Sequence, residues 1–329
     1  MKRVASIAAA LALACTAVAM FTGSLLAQAE GTVYDACSRD KQEVRAAALP
    51  EVLDEEKCPV AGRVIVDGDI GAVVPEPGMA VIAEAESSDG HQYLSVSNPR
   101  GGKLLIDGAG REPRPEAASG ISARASGPGE CRDSFYSSRD AKVYNYNRWY
   151  VNGRSIPSYL SKFRAVSAMK QGAANVTRVR DACGFGDGVR GRMIYEGATR
   201  SSVNITSNLN CTSNDYRSEV GFGDLPSSYT AFHCAWVWPK SGAPDRVAHT
   251  DIRLNKFDYR WTARVTSSCR GRQDIESSMT HERGHTFGLG EAPEGSHGNL
   301  TMSNLTNGPC QTSERSLGKG DAMGLNRKY

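Results

Sequence analysis

The chain has 329 residues, with 39 Lys and Arg against 36 Asp and Glu, for a formal net charge of +3. Its basic residues are scattered and form no stripe with interleaved aromatics, which argues against a nucleic-acid partner. The length leaves room for about two domains.

Met1-Lys2-Arg3 gives a basic start, residues 4–20 are almost wholly apolar, and Ala27-Gln28-Ala29 forms a small-residue site before Glu30. This layout predicts a signal peptide over 1–29, cleaved after Ala29, and a secreted, extracellular protein. No later stretch reaches about 18 consecutive apolar residues, so no membrane span is expected after signal removal. Cleavage discards Cys15 and leaves Cys37, Cys58, Cys131, Cys183, Cys211, Cys234, Cys269 and Cys310. An even number with no C-x-x-C pair favours disulfides over a structural zinc cluster. Cys37 with Cys58 is the one pairing expected, since both precede the long linker described below.

Residues 38–56 are rich in Ala, Glu and Arg and predict one helix. Over 61–107, short apolar runs such as Val64-Ile65-Val66, Met79–Ala83 and Leu104-Leu105-Ile106 are split by turn signals, which suggests a small all-β unit. Residues 30–108 are therefore expected to be a β-rich N-terminal domain or a propeptide. If they are an inhibitory propeptide, Asp67, Asp69, Asp107 and His91 are the groups that could block a metal. Residues 109–130 hold four Gly, three Pro and three Ser and almost no large apolar residue. Such a segment cannot bury enough surface to fold, and reads as a linker.

The remainder, 131–329, reads as a mixed α+β (α/β) domain. Phe163, Val166, Met169, Ala173 and Val176 recur at helical spacing over 161–179. Strands are expected around 193–195, 203–205, 229–238 and 250–255, and further helices follow toward the end.

The segment 274–302 carries the chemistry. His281 and His285 stand four residues apart, so on a helix their imidazoles share one face and can meet one metal ion. Glu282 follows the first histidine, where its carboxylate can act as general base on a zinc-activated water. With six His and 18 Glu in the chain, composition alone yields ~0.006 matches to H-E-x-x-H, so chance is a poor explanation. Phe287-Gly288-Leu289-Gly290 supplies glycine where the helix should end, and Thr301-Met302-Ser303 places a methionine downstream.

These residues resemble the metzincin clan of zinc peptidases, whose signature is H-E-x-x-H-x-x-G-x-x-H/D followed by a methionine turn. The matching positions are His281, Glu282, His285, Gly288 and Met302. The resemblance spans about residues 131–329 and is specific over 281–302. It implies a five-stranded mixed sheet over an active-site helix, with a C-terminal subdomain below the cleft. It also implies that 249–255 is the edge strand lining that cleft, and that Leu317–Asp321 opens a closing helix. Ile252, Arg253 and Leu254 would then pair with an extended peptide by strand addition.

Position 291 departs from the signature, being Glu where the clan has His or Asp. Glu291 can bind zinc through oxygen; His297 is the alternative third ligand, and a two-histidine site is a third reading. The expectation is a monomeric zinc metalloendopeptidase with one catalytic Zn2+ and a protein or peptide substrate. Its rivals are a catalytically impaired pseudoenzyme and a secreted or cell-surface binding protein. Substrate preference and any structural Ca2+ are not legible here.

Overall fold

The computed structural model describes residues 36–38, 42–87, 92–108, 127–186, 188–212, 214–303 and 308–329. The expected signal peptide, most of the linker and His91 lie outside these residues. The N-terminal strands are β1 (Glu43–Arg45), β2 (Val52–Asp54), β3 (Val64–Asp67), β4 (Ile70–Val73), β5 (Met79–Ser87), β6 (Gln92–Asn98) and β7 (Lys103–Gly108). Next come β8 (Ser137–Ser138), β9 (Ala141–Lys142), β10 (Tyr146–Asn152), helix α1 (Lys162–Thr177), β11 (Arg192–Thr199), β12 (Asn210–Cys211) and β13 (Ser218–Gly223). The C-terminal part holds β14 (Tyr229–Trp238), β15 (Asp245–Asn255), β16 (Trp261–Thr262), β17 (Gln273–Asp274), α2 (Ile275–Thr286) and β18 (Leu289–Gly290). It ends with the short α3 (Glu294–His297) and with α4 (Lys319–Lys328).

The protein is mixed α/β, with several sheets and few helices. Its main sheet runs β11-β10-β13-β15-β14-β5-β6-β7-β2, with β9 also paired to β15. From β11 to β15 the strands are parallel; β14 turns antiparallel, and β5, β6, β7 and β2 continue as an antiparallel meander. A second sheet runs β1-β3-β4-β12. Residues from the expected N-terminal unit thus share sheets with residues after the linker, through β5–β14 and through β4–β12.

Strand β14 explains how one sheet serves two cores. Its sequence YTAFHCAWVW is rich in aromatic residues and is buried from Tyr229 to Val237, as a central strand covered on both faces should be. Phe232, Cys234 and Trp236 face a core shared with Val81, Ala83, Ile65 and Ile70. Ala231, His233, Ala235 and Val237 alternate to the other face, where α2 lies; there His233 Nε2 is 3.1 Å from Thr286 Oγ1.

Several expectations change. Residues 43–54 form two short strands around a 3-10 turn rather than one helix. Val44 and Leu53 alternate inward from exposed neighbours, and tertiary pairing overrides the helical composition. Residues 203–205 form no strand, only a bridge from Ile205 to Cys211. Helix α1 forms as expected, starting at Ser161, whose hydroxyl accepts from Arg164 N; Phe163 in its first turn is exposed, not in the core.

The eight cysteines among the described residues all pair, as Cys37–Cys58, Cys131–Cys183, Cys211–Cys234 and Cys269–Cys310. The first is the expected pair. Among the described residues, no helix is long and apolar enough to cross a membrane.

Candidate metal centre

The site is built on α2, whose sequence IESSMTHERGHT is mostly polar although all twelve residues are buried. Burying polar side chains is costly unless each finds a partner, and the surroundings supply them. Asp274 caps the helix, its Oδ2 accepting from Ser277 N at 3.1 Å, and Arg315 grips the same carboxylate with two bonds of 2.7 Å. Asn175 on α1 donates to Glu276 Oε1 and Thr280 Oγ1 at 3.2 and 3.1 Å. The two helices can come this close because Gly172 has no side chain: a Cβ there would stand 2.6 Å from that of Met279. Arg283 donates to Thr250 Oγ1 at 3.2 Å and lies over the Trp149 ring. Burial pulls its pKa down to about 9, so it stays cationic at neutral pH.

After α2 the chain reverses at Gly288, whose φ of 81° is left-handed. Leu289–Gly290 then pairs with Ser137–Ser138, and Ala292 N donates to Met302 O at 2.6 Å. This path brings Glu291 back to the two histidines. Glu291 Oε1 lies 3.3 Å from His281 Nε2 and 3.1 Å from His285 Nε2, and the two Nε2 atoms are 3.1 Å apart.

The opposite nitrogens set the tautomers. His281 Nδ1 is 2.9 Å from Thr301 O, and His285 Nδ1 is 3.1 Å from Leu289 O. A carbonyl can only accept, so each Nδ1 carries the proton and each neutral Nε2 presents a lone pair. Two imidazole lone pairs and a carboxylate oxygen therefore converge on one point, which calls for a cation. The triangle has the dimensions of a small tetrahedral metal site. Tetrahedral bonds of about 2.0–2.1 Å to nitrogen and oxygen place ligand atoms roughly 3.3–3.4 Å apart.

The electrostatics agree. Burial pushes the Glu291 carboxyl up, but the adjacent imidazoles prevail and hold it well below the usual carboxylate range. Burial pulls His285 down, yet Glu84 and Glu291 together leave its pKa raised. A positive charge is favoured here.

Other residues fall where sequence reasoning did not put them. His297 is not a member of the cluster: its Nδ1 is 2.8 Å from Asp133 Oδ2, and its ring stacks on Phe135 with centroids 4.1 Å apart. Met302 packs against Gly284 of α2, where a Cβ would come within 2.2 Å of its sulfur. Asp321 at the start of α4 holds that turn, accepting from Thr301 N at 2.8 Å and Gly318 N at 2.9 Å. Burial pushes the Asp321 carboxyl up to about 6 against these donors. Glu282 follows His281 on α2 and is fully buried.

The substrate-strand expectation is overturned. Ile252, Arg253 and Leu254 lie on β15, which is hydrogen-bonded to β13 on one side and β14 on the other. Neither edge is open to an added peptide strand. The antiparallel strand nearest α2 is β14, and its far edge is paired with β5.

That pairing introduces a residue that belongs to no sequence motif. Glu84 on β5 lies directly opposite His233; its Oε2 is 3.3 Å from His285 Nδ1, and its Oε1 accepts from Arg139 Nε at 2.7 Å. The Arg139 guanidinium in turn lies over the Tyr93 ring on β6. The one available signal was a charged residue at an inward position of an apolar run, on the same strand face as Ala80 and Ile82. Asp69, proposed as a metal blocker, instead accepts from the Tyr229 hydroxyl at 2.8 Å. Compared with known proteins, the chain matches no family model and no curated sequence.

Proposed function

We propose that the protein is a secreted zinc metalloendopeptidase of metzincin-like design. The observation that carries this reading is the convergence of His281 Nε2, His285 Nε2 and Glu291 Oε1 within 3.1–3.3 Å on the helix that bears Glu282. Two imidazoles and one carboxylate are a donor set of catalytic zinc centres, which keep a further position for water or substrate. The β11-β10-β13-β15-β14 part of the ten-stranded main sheet, with α2 against β14 and β15, the turn at Met302 and the terminal helix α4 also support the resemblance. Four disulfides suit an oxidising, extracellular compartment.

His281, His285 and Glu291 would hold the ion, and zinc bound there supplies Lewis-acid activation of water at neutral pH. Thr301 O and Leu289 O keep the two imidazoles in the ligating tautomer. Glu282 is the general base: its carboxylate takes the proton from the attacking water and passes it to the leaving amine.

One observation favours a second reading, a secreted binding protein without catalysis. Both edges of β14 and of β15 are already paired, so an extended peptide has no strand edge to join beside α2. The same experiment separates the two. Wild type and Glu282→Ala are incubated with an unstructured protein substrate, with and without a chelator. The peptidase reading expects cleavage by wild type that chelation stops, and a loss of about 10²-fold or more in the variant. Equal and chelator-insensitive behaviour of the two would sink it.

A further inference from the structure

We infer that the described residues within 36–108 are a permanent part of the metal-centre unit rather than a detachable propeptide, and that their Glu84 is a positioning residue for His285. The inference rests on the reading of His281, His285 and Glu291 as metal ligands.

Three independent features tie this segment to the rest. Strand β5 zips onto β14 in register from Val237↔Ala80 to His233↔Glu84 and beyond. Behind that seam Val81, Ala83, Ile65 and Leu94 share one core with Phe232, Trp236 and the Cys211–Cys234 disulfide. Detachment would expose Phe232, Cys234 and Trp236, now 0–2% accessible, together with the whole hydrogen-bonding edge of β14. A contiguous apolar face flanked by an open strand edge invites aggregation. Strand β12 also pairs with β4, so the contact is made by two sheets and not by a single inserted strand.

The third feature reaches the site itself. Glu84 is 1% exposed, approaches His285 Nδ1 at 3.3 Å, and is oriented by the 2.7 Å bond from Arg139. His285 Nδ1 thus faces a carboxylate as well as Leu289 O, while its Nε2 faces Glu291. A carboxylate behind a ligating imidazole fixes the ring and raises its basicity. Glu84 faces the nitrogen away from the ligand triangle, as a supporting group does.

The test inserts a specific protease site within 109–126 of the full-length chain. Among the described residues each disulfide lies wholly on one side of that segment, so the cut pieces are held by non-covalent contacts alone. The expected result is co-elution of the two pieces on native size exclusion, with zinc affinity equal to that of the uncut chain. Separation in native buffer, with the C-terminal piece binding zinc as tightly as before, would overturn the inference. In the uncut chain, Glu84→Gln should weaken zinc binding by roughly 10–100-fold and alter the visible spectrum of the cobalt-substituted centre. A Glu84→Gln protein that titrates like wild type and gives an unchanged cobalt spectrum removes the positioning role. A wild type that takes up no zinc at all overturns the metal reading and the role of Glu84 with it; separation of the cut pieces overturns only the permanence.

Discussion

The turn at Gly288 is where the sequence delivers Glu291 to the histidines, and substituting it with alanine tests that geometry. Two costs add. A non-glycine residue at φ 81° is disfavoured by about 1–2 kcal/mol. The new Cβ would also stand 2.0 Å from Ala141 O, about 1.4 Å short of ordinary contact. That oxygen cannot swing away, because it is backbone of β9 and accepts from Lys328 Nζ at 3.0 Å. Overpacking of this kind costs a further 1–3 kcal/mol or so. Gly288→Ala should therefore lose on the order of 2–5 kcal/mol in urea unfolding of the metal-free protein. The displaced turn should also weaken zinc binding, because Leu289 O and Glu291 move with it. Gly295→Ala is the control: nothing lies within 4 Å of its Cβ position and its φ is ordinary, so it should stay within about 0.5 kcal/mol of wild type. If Gly288→Ala unfolds like Gly295→Ala and binds zinc like wild type, the turn does not position the ligand as argued.

Two further outcomes follow from the site and its surroundings. Glu291→Ala should lower zinc affinity by more than the roughly 10–100-fold expected for loss of a supporting partner, and His297→Ala should leave it unchanged because Asp133 and Phe135 already hold that ring; calorimetric titration giving the reverse order would reject Glu291 as third ligand. His249 is buried against Trp236 with ring centroids 4.8 Å apart, and burial lowers its pKa to about 3. The unfolded chain binds that proton near pH 6.5 and the folded one does not, so stability falls as pH drops below 6.5, by about 2 kcal/mol at pH 5. His249→Phe should remove this part of the acid sensitivity, and identical pH slopes of unfolding free energy in variant and wild type would refute the assignment.

Local features were legible in the sequence, and long-range ones were not. The i, i+4 histidines, the glycine after the helix and the apolar spacing of α1 are all settled within a few residues of one another. The choice between Glu291 and His297 is not, because it depends on Ala292 bonding to Met302 and on Asp133 capturing His297 from more than 150 residues away. Likewise, the alternation of Ile252 and Leu254 with polar residues predicts a strand but not its place within a sheet. An interior strand and an edge strand read alike when both faces are half apolar. Residues 43–54 failed in the opposite direction: their helical composition was outweighed by pairing with β3 and β7.

The composition of α2 ties these observations together. A helix buried on every side and shaped only for stability would be apolar all round. Here Ile275 and Met279 are its only large apolar residues, and carboxylates, imidazoles, hydroxyls and a guanidinium fill the rest. Their partners come from everywhere: Asn175 from α1, Thr250 from β15, His233 from β14, Arg315 from the C-terminal segment and Glu84 from β5. His233 and Glu84 are cross-strand neighbours at the join between the segments before and after residues 109–126, and they contact Thr286 and His285, adjacent residues at the end of α2. The join therefore runs directly along the helix that carries the proposed ligands. Any change that parts β5 from β14 also withdraws a carboxylate from His285, which makes the integrity of the sheet a condition of the proposed metal site.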